Sequence, residues 1–137
     1  MVQIEAQILG KVPPHNLEAE QSVLGAMIIS KEAINTAIEN LYPEDFYKKA
    51  NEEIFEAIIS LFNRNEPVDI ITLSEELRKR GTLEKVGGVA YLTDLTGGVA
   101  TTANVKYYCD IVKEKAILRR LIESCDNIIA KSYEGSE

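Results

Sequence analysis

Two adjacent carboxylate pairs, Glu52-Glu53 and Glu75-Glu76, a single imidazole, His15, and two thiols, Cys109 and Cys125, are the residues that could serve acid–base, nucleophilic or metal chemistry. They form no working set. Neighbours on a helix point about 100° apart, so paired glutamates do not converge on one substrate. Solvated helix faces near an N-terminus, where negative charge is favoured, account for them. His15 stands beside Pro13-Pro14 with no base or nucleophile near it in the chain, so a capping or surface role is expected. The two cysteines fall on one expected helix and lie about 24 Å apart along its axis, too far for an intrachain disulfide. With one histidine they make no zinc pattern, and both read as buried apolar residues or free thiols. The phosphate-loop order, glycines followed by Lys and Ser/Thr, is absent. Gly87-Gly88 and Gly97-Gly98 each run into Val-Ala and read as helix punctuation. No catalytic, cofactor-binding or metal-binding residue is expected in this chain.

Nucleic acid is a poor partner for the chain alone. Its net charge is −7, whereas phosphate contacts require a basic excess. Lys113, Lys115, Arg119 and Arg120 form a basic cluster, but it spreads around its helix and alternates with Glu114 and Glu123, which predicts solvated pairing. Leu73–Gly81 followed by Tyr91-Leu92 has a helix-turn-helix outline. Its second helix offers no Arg, Lys, Asn or Gln to read base edges. Tyr91 stands out because Val89, Leu92 and Leu95 already supply an inward face on that helix. It reads equally as a core or an interface aromatic.

The 137 residues fit one domain with an ordinary soluble composition. No run of about 18 apolar residues occurs and no signal peptide is recognisable, so a cytoplasmic protein without membrane contact is expected. Residues 1–14 read as a flexible arm ending in Pro13-Pro14. Residues 15–102 read as a helical head. Asn16 caps a first helix bearing Leu17, Leu24 and Ile28. A second follows Ser30, with Ile34, Ala37, Ile38 and Leu41, and Pro43 ends it. Pro43–Tyr47 reads as one turn. A third helix carries Ile54, Phe55, Ile58, Ile59 and Phe62. Thr72-Leu73-Ser74-Glu75 has the capping-box form for a fourth, which stops at Gly81. Gly87-Gly88 opens another, which Gly97-Gly98 closes. The expected fold class is all-α, with a compact head of about five to six helices.

Residues 103–137 differ. From Asn104 to about Tyr133 there is no Pro or Gly, which gives about 45 Å of helix against a head whose radius of gyration is about 13 Å. The rod should project. Yet Leu118, Leu121, Ile122, Cys125, Ile128 and Ile129 recur along it at 3/4 spacing. Burying such side chains is worth about 1.5–3 kcal/mol each, so the stripe implies a neighbour, another protomer or a further chain segment, that covers it.

The motifs Pro13-Pro14-His15-Asn16-Leu17-Glu18-Ala19-Glu20-Gln21-Ser22-Val23-Leu24-Gly25-Ala26, Pro43-Glu44-Asp45-Phe46-Tyr47 and Glu66-Pro67-Val68-Asp69 resemble the N-terminal domain of DnaB-type bacterial replicative helicases. So do Gly87–Leu92, Ala103–Tyr108, Ile111–Lys115 and Leu118–Ile122, in the same order. The resemblance covers about residues 13–133. It implies a parent that is a hexameric ATP-dependent DNA helicase at the replication fork, with ATP and Mg bound by a RecA-like domain C-terminal to this region. DNA is then met only through the full ring. It further implies that this domain is a non-catalytic collar, a helical head plus a helical hairpin whose first arm is the rod. Hairpins of neighbouring protomers pair in a trimer of dimers, and the collar docks the helicase-binding domain of primase. By resemblance, Tyr91, Ile122 and Ile128 match primase-modulating positions. Leu118, Leu121, Cys125 and Ile129 complete the expected interface.

Overall fold

The computed structural model describes residues 11–135. The first ten residues of the expected arm, and residues 136 and 137, lie outside them. The described residues form seven α-helices and one 3-10 turn, with no strand among them. The helices are α1 (Leu17–Ile29), α2 (Lys31–Asn40), α3 (Lys49–Asn63), α4 (Ile70–Lys79), α5 (Leu83–Val86), α6 (Gly88–Gly97) and α7 (Val105–Gly135). The 3-10 turn, Pro43–Asp45, precedes α3.

Local chemistry sets most of these bounds. The Asn16 side chain accepts the Ala19 amide at 3.0 Å and so caps α1. Ser30 serves two helices, donating its own amide to the Ala26 carbonyl at the end of α1 and accepting the Ala33 amide at the start of α2. The capping box of α4 sits earlier than expected. Asp69, not Thr72, is the cap: its carboxylate accepts the Thr72 amide at 2.8 Å, and the Thr72 hydroxyl accepts the Asp69 amide at 3.0 Å. Thr72 therefore closes the box from inside the first turn, and Ile70 and Ile71 become helical. Gly81 follows α4 with φ 73°, as a left-handed helix stop requires.

Helix α1 runs through the middle of the head. Val23, Leu24 and Met27 are fully buried, and α2, α6 and α7 pack around it. Gly25 is the close-approach point. A Cβ there would lie 2.2 Å from the Leu95 carbonyl oxygen and 2.5 Å from Val99 Cγ2. Phe55, Ile54, Ile58, Leu73 and Leu77 complete the core from α3 and α4.

Helix α6 departs from expectation. Leu92 and Leu95 point inward, but Val89 is 45% exposed, and half-buried Tyr91 packs against the core instead. Gly87 and Gly88, with φ of 114° and 69°, turn the chain sharply between α5 and α6, so α6 starts in an orientation that puts its second residue in solvent.

Candidate docking face of the long helix

Helix α7 carries two apolar stripes. Val105, Cys109, Val112 and Ala116 are buried and seat its first half on the head. Beyond Ala116 no residue of α7 is buried. At about 100° per residue, the second stripe is centred about 170° around the helix from the seated one. The expected residues Leu118, Leu121, Ile122, Cys125, Ile128 and Ile129 all fall in it. Leu121 is 58% and Ile128 64% exposed, Leu118, Ile122 and Cys125 are exposed, and Ile129 is half-buried. Tyr107 (73% exposed) extends the stripe back along the seated half of α7, while half-buried Ile111 on the same side packs against the core. Tyr107, Leu121 and Ile128 stand at heptad multiples of one another, so the extension was readable in the sequence.

The segment Lys11–Pro13 runs beside this stripe. Together they form an open groove of about 750 Å³, with Leu121, Ile122, Cys125 and Ile129 on its helical wall. Arg119 pins the segment by donating to the Pro14 carbonyl at 2.7 Å. His15 stacks on Tyr47 with ring centroids 4.3 Å apart, and its Nδ1 lies 2.7 Å from the Pro13 carbonyl. The lone histidine is thus a fastening of the arm, while Asn16 does the capping.

The basic cluster corrects the sequence reading. Its members do not spend themselves on Glu114 and Glu123. Lys113 Nζ donates to Asp45 Oδ2 at 2.6 Å, Arg120 pairs with Asp45 Oδ1, and Arg119 donates to the Asp45 carbonyl at 2.7 Å. Sequence spacing shows only local partners, and Asp45 lies 68 to 75 positions away in the chain.

Tyr91 is not brought to the α7 stripe. Its hydroxyl donates to Asn51 Oδ1 at 2.6 Å and receives Gln21 Nε2 at 3.5 Å, and Lys48 Nζ lies 4.4 Å from the ring centroid. Behind it, buried Glu20 accepts the Tyr47 amide at 2.8 Å, the Lys48 amide at 3.4 Å and Asn51 Nδ2 at 2.9 Å. The N-cap position of α3, Lys48, makes no side-chain cap bond, and this carboxylate from α1 instead takes the Tyr47 and Lys48 amides just ahead of the helix. The Glu-Ala-Glu-Gln stretch therefore has a structural task that sequence alone did not reveal.

Of the thiols, Cys109 is buried and Cys125 exposed, and burial pushes the Cys109 thiol up to about 11. Among the described residues, no group of His, Cys, Asp and Glu is placed to hold a metal. No helix there is long and apolar enough to cross a membrane.

A family model described as the DnaB-like helicase N terminal domain matches residues 12–114. The chain belongs to that family. The replicative DNA helicase DnaB of Mycobacterium leprae is 46% identical over 128 residues, which are 93% of this chain and 21% of that protein. The crystal structure of the N-terminal domain of DnaB helicase from Mycobacterium tuberculosis superposes with a TM-score of 0.90 at 47% identity, over 92% of this chain and 90% of that one. A DnaB-like replicative helicase, whose structure is described with its interactions with primase, gives a TM-score of 0.73 at 32% identity, over 85% of this chain and 27% of that one. The chain thus spans about a fifth of the full-length DnaB relative and nearly the whole of a solved DnaB N-terminal domain.

Proposed function

We propose that this DnaB N-terminal domain serves a hexameric, ATP-dependent replicative DNA helicase of the cytoplasm as its assembly collar and primase-docking module, and takes no part in ATP hydrolysis itself. The observation that carries the reading is the exposed second stripe of α7, on the opposite side of the helix from the stripe that seats it. Six apolar positions aligned on a projecting helix suit helix-on-helix pairing between protomers. In this reading the pairs are the dimers of a trimer of dimers, and the primase helicase-binding domain docks on the same collar, with Tyr91, Ile122 and Ile128 as modulating positions. The relatives named for replicative helicases and for interactions with primase support it. ATP and Mg then belong to a RecA-like motor domain elsewhere in the parent, and DNA is engaged by the whole ring. The net charge of −7 agrees, because a phosphate-binding surface needs the opposite sign.

The test is Ile122→Asn. Its side chain is 40% exposed and lies outside the buried core, so the head should keep its melting temperature. Sedimentation with the primase helicase-binding domain should show weakened association or protomer pairing. Association equal to that of the parent chain overturns the proposal.

A further inference from the structure

The long helix leaves its seat at one place, and an ion cluster sits there. Ala116 is its last buried residue, and Arg119 and Arg120, one turn on, bond to the head. Both contacts go to Asp45. Lys113, two turns before Arg120, holds the same carboxylate from the other side of Ala116. The Asp45 side chain is 0% exposed, and its own turn locks it in place through the Tyr42 amide, which donates to Oδ2 at 2.8 Å. Neighbouring Phe46 is anchored in the core beside Phe55, with ring centroids 4.9 Å apart.

Apolar packing alone leaves a helix free to rock about its contact stripe. Two cations fixed on one buried carboxylate restrict that freedom, because each bonds a different oxygen and releasing either strips that buried oxygen of a charge-assisted hydrogen bond. The group is held ionised. Burial opposes its charge, but hydrogen bonds from Lys113, Tyr42 and Arg120 outweigh it and lower its pKa below the ordinary carboxylate value.

We infer that Asp45 is the fulcrum of the molecule, gripped by Lys113 and Arg120, and that it fixes the direction in which the distal half of α7 leaves the head. The geometry gives this leverage. From Arg120 to Gly135 the helix extends about 22 Å, so a tilt of about 10° at the fulcrum moves the tip by about 4 Å. Arg119 bonds the Pro14 and Asp45 carbonyls together, so the strap Lys11–Pro14 is tied to the same point. The inference concerns the rod's direction, whatever docks on its stripe.

Double electron–electron resonance measures this directly. In a Cys125→Ser background, spin labels are placed through Ile71→Cys on exposed α4 surface and Glu134→Cys near the rod's end, with unlabelled chain in excess to suppress distances between molecules. Cys109 is buried and does not compete for label. The parent should give one narrow distance. Arg120→Gln, at a half-exposed position that leaves the core intact, and Asp45→Asn should each shift the mean by about 4 Å or double the width. Arg64→Gln, which breaks an ion pair within the head, should leave the distribution alone. If Asp45→Asn does not fold, Arg120→Gln and Lys113→Gln carry the test. Unchanged distributions in the folded variants overturn the fulcrum. Because no binding partner is present, that failure is distinct from any failure of primase docking.

Discussion

At the scale of single residues, the head is organised by buried acids whose task no sequence spacing shows. Glu20 and Asp45 are both fully inside, and apart from the Tyr42 amide their partners lie 27 to 75 positions away in the chain. Helical spacing reveals only neighbours three or four apart, so neither network was legible. Tyr91 was legible as unusual, yet not as the donor to Asn51. Glu76 shows a further consequence of such pairing. It accepts Arg64 Nη2 at 2.7 Å and Arg80 Nε at 2.9 Å, and these bonds, Arg64's first, lower its pKa from 4.5 to about 2. The carboxyl is more acidic folded than unfolded, so its contribution is complete above about 4.5 and disappears as the pH falls towards 2. Melting temperatures of the parent and Glu76→Gln should therefore differ near neutrality and converge between pH 5 and pH 2. A gap that stays constant through that window would mean the arginine bonds stabilise nothing.

At the scale of elements, periodicity and punctuation did most of the work. Helices α2 to α4 and α7, with clear apolar spacing, and α1, with its Asn16 cap and apolar content, were readable, as were the stops at Pro43, Gly81 and Gly97-Gly98. Helix α5 was not, because four residues contain one turn and no period. The start of α4 was misplaced because two overlapping boxes compete there, one opened by Asp69 and one by Thr72. The carboxylate won, reaching the Thr72 amide at 2.8 Å. The outcome separates the two by mutation. Asp69→Ala should cost about 1 kcal/mol, the usual effect of deleting a cap. Ser74 and Glu75 lie inside α4, so Glu75→Ala should cost much less. Chemical denaturation measures both, and a larger loss for Glu75→Ala would restore the later box. Gly25 belongs to this scale too, since any Cβ there meets the Leu95 carbonyl at 2.2 Å, so Gly25→Ala must push α1 and α6 apart.

At the scale of the whole molecule, the two stripes of α7 divide folding from association. The sequence displayed the distal stripe plainly, since six apolar positions recur without a break. It did not display that the stripe and the seat lie on opposite sides, because that follows only once Val105, Cys109, Val112 and Ala116 are known to be the buried set. Opposition means that covering one stripe does nothing to cover the other, so the two should respond independently to mutation. Val112→Ala opens a cavity beneath the seat and should cost about 2 kcal/mol, visible as a melting temperature lower by several degrees. Association through the distal face should persist in the molecules that remain folded. Leu121→Asn changes a side chain that is 58% exposed, so the melting temperature of the isolated chain should hold while pairing measured by sedimentation weakens. The pattern to look for is a crossed one, with stability lost in one variant and association in the other. If Leu121→Asn instead destabilises the chain at concentrations where it is monomeric, the distal stripe is part of the fold, and a helix with one free face is the wrong description of α7.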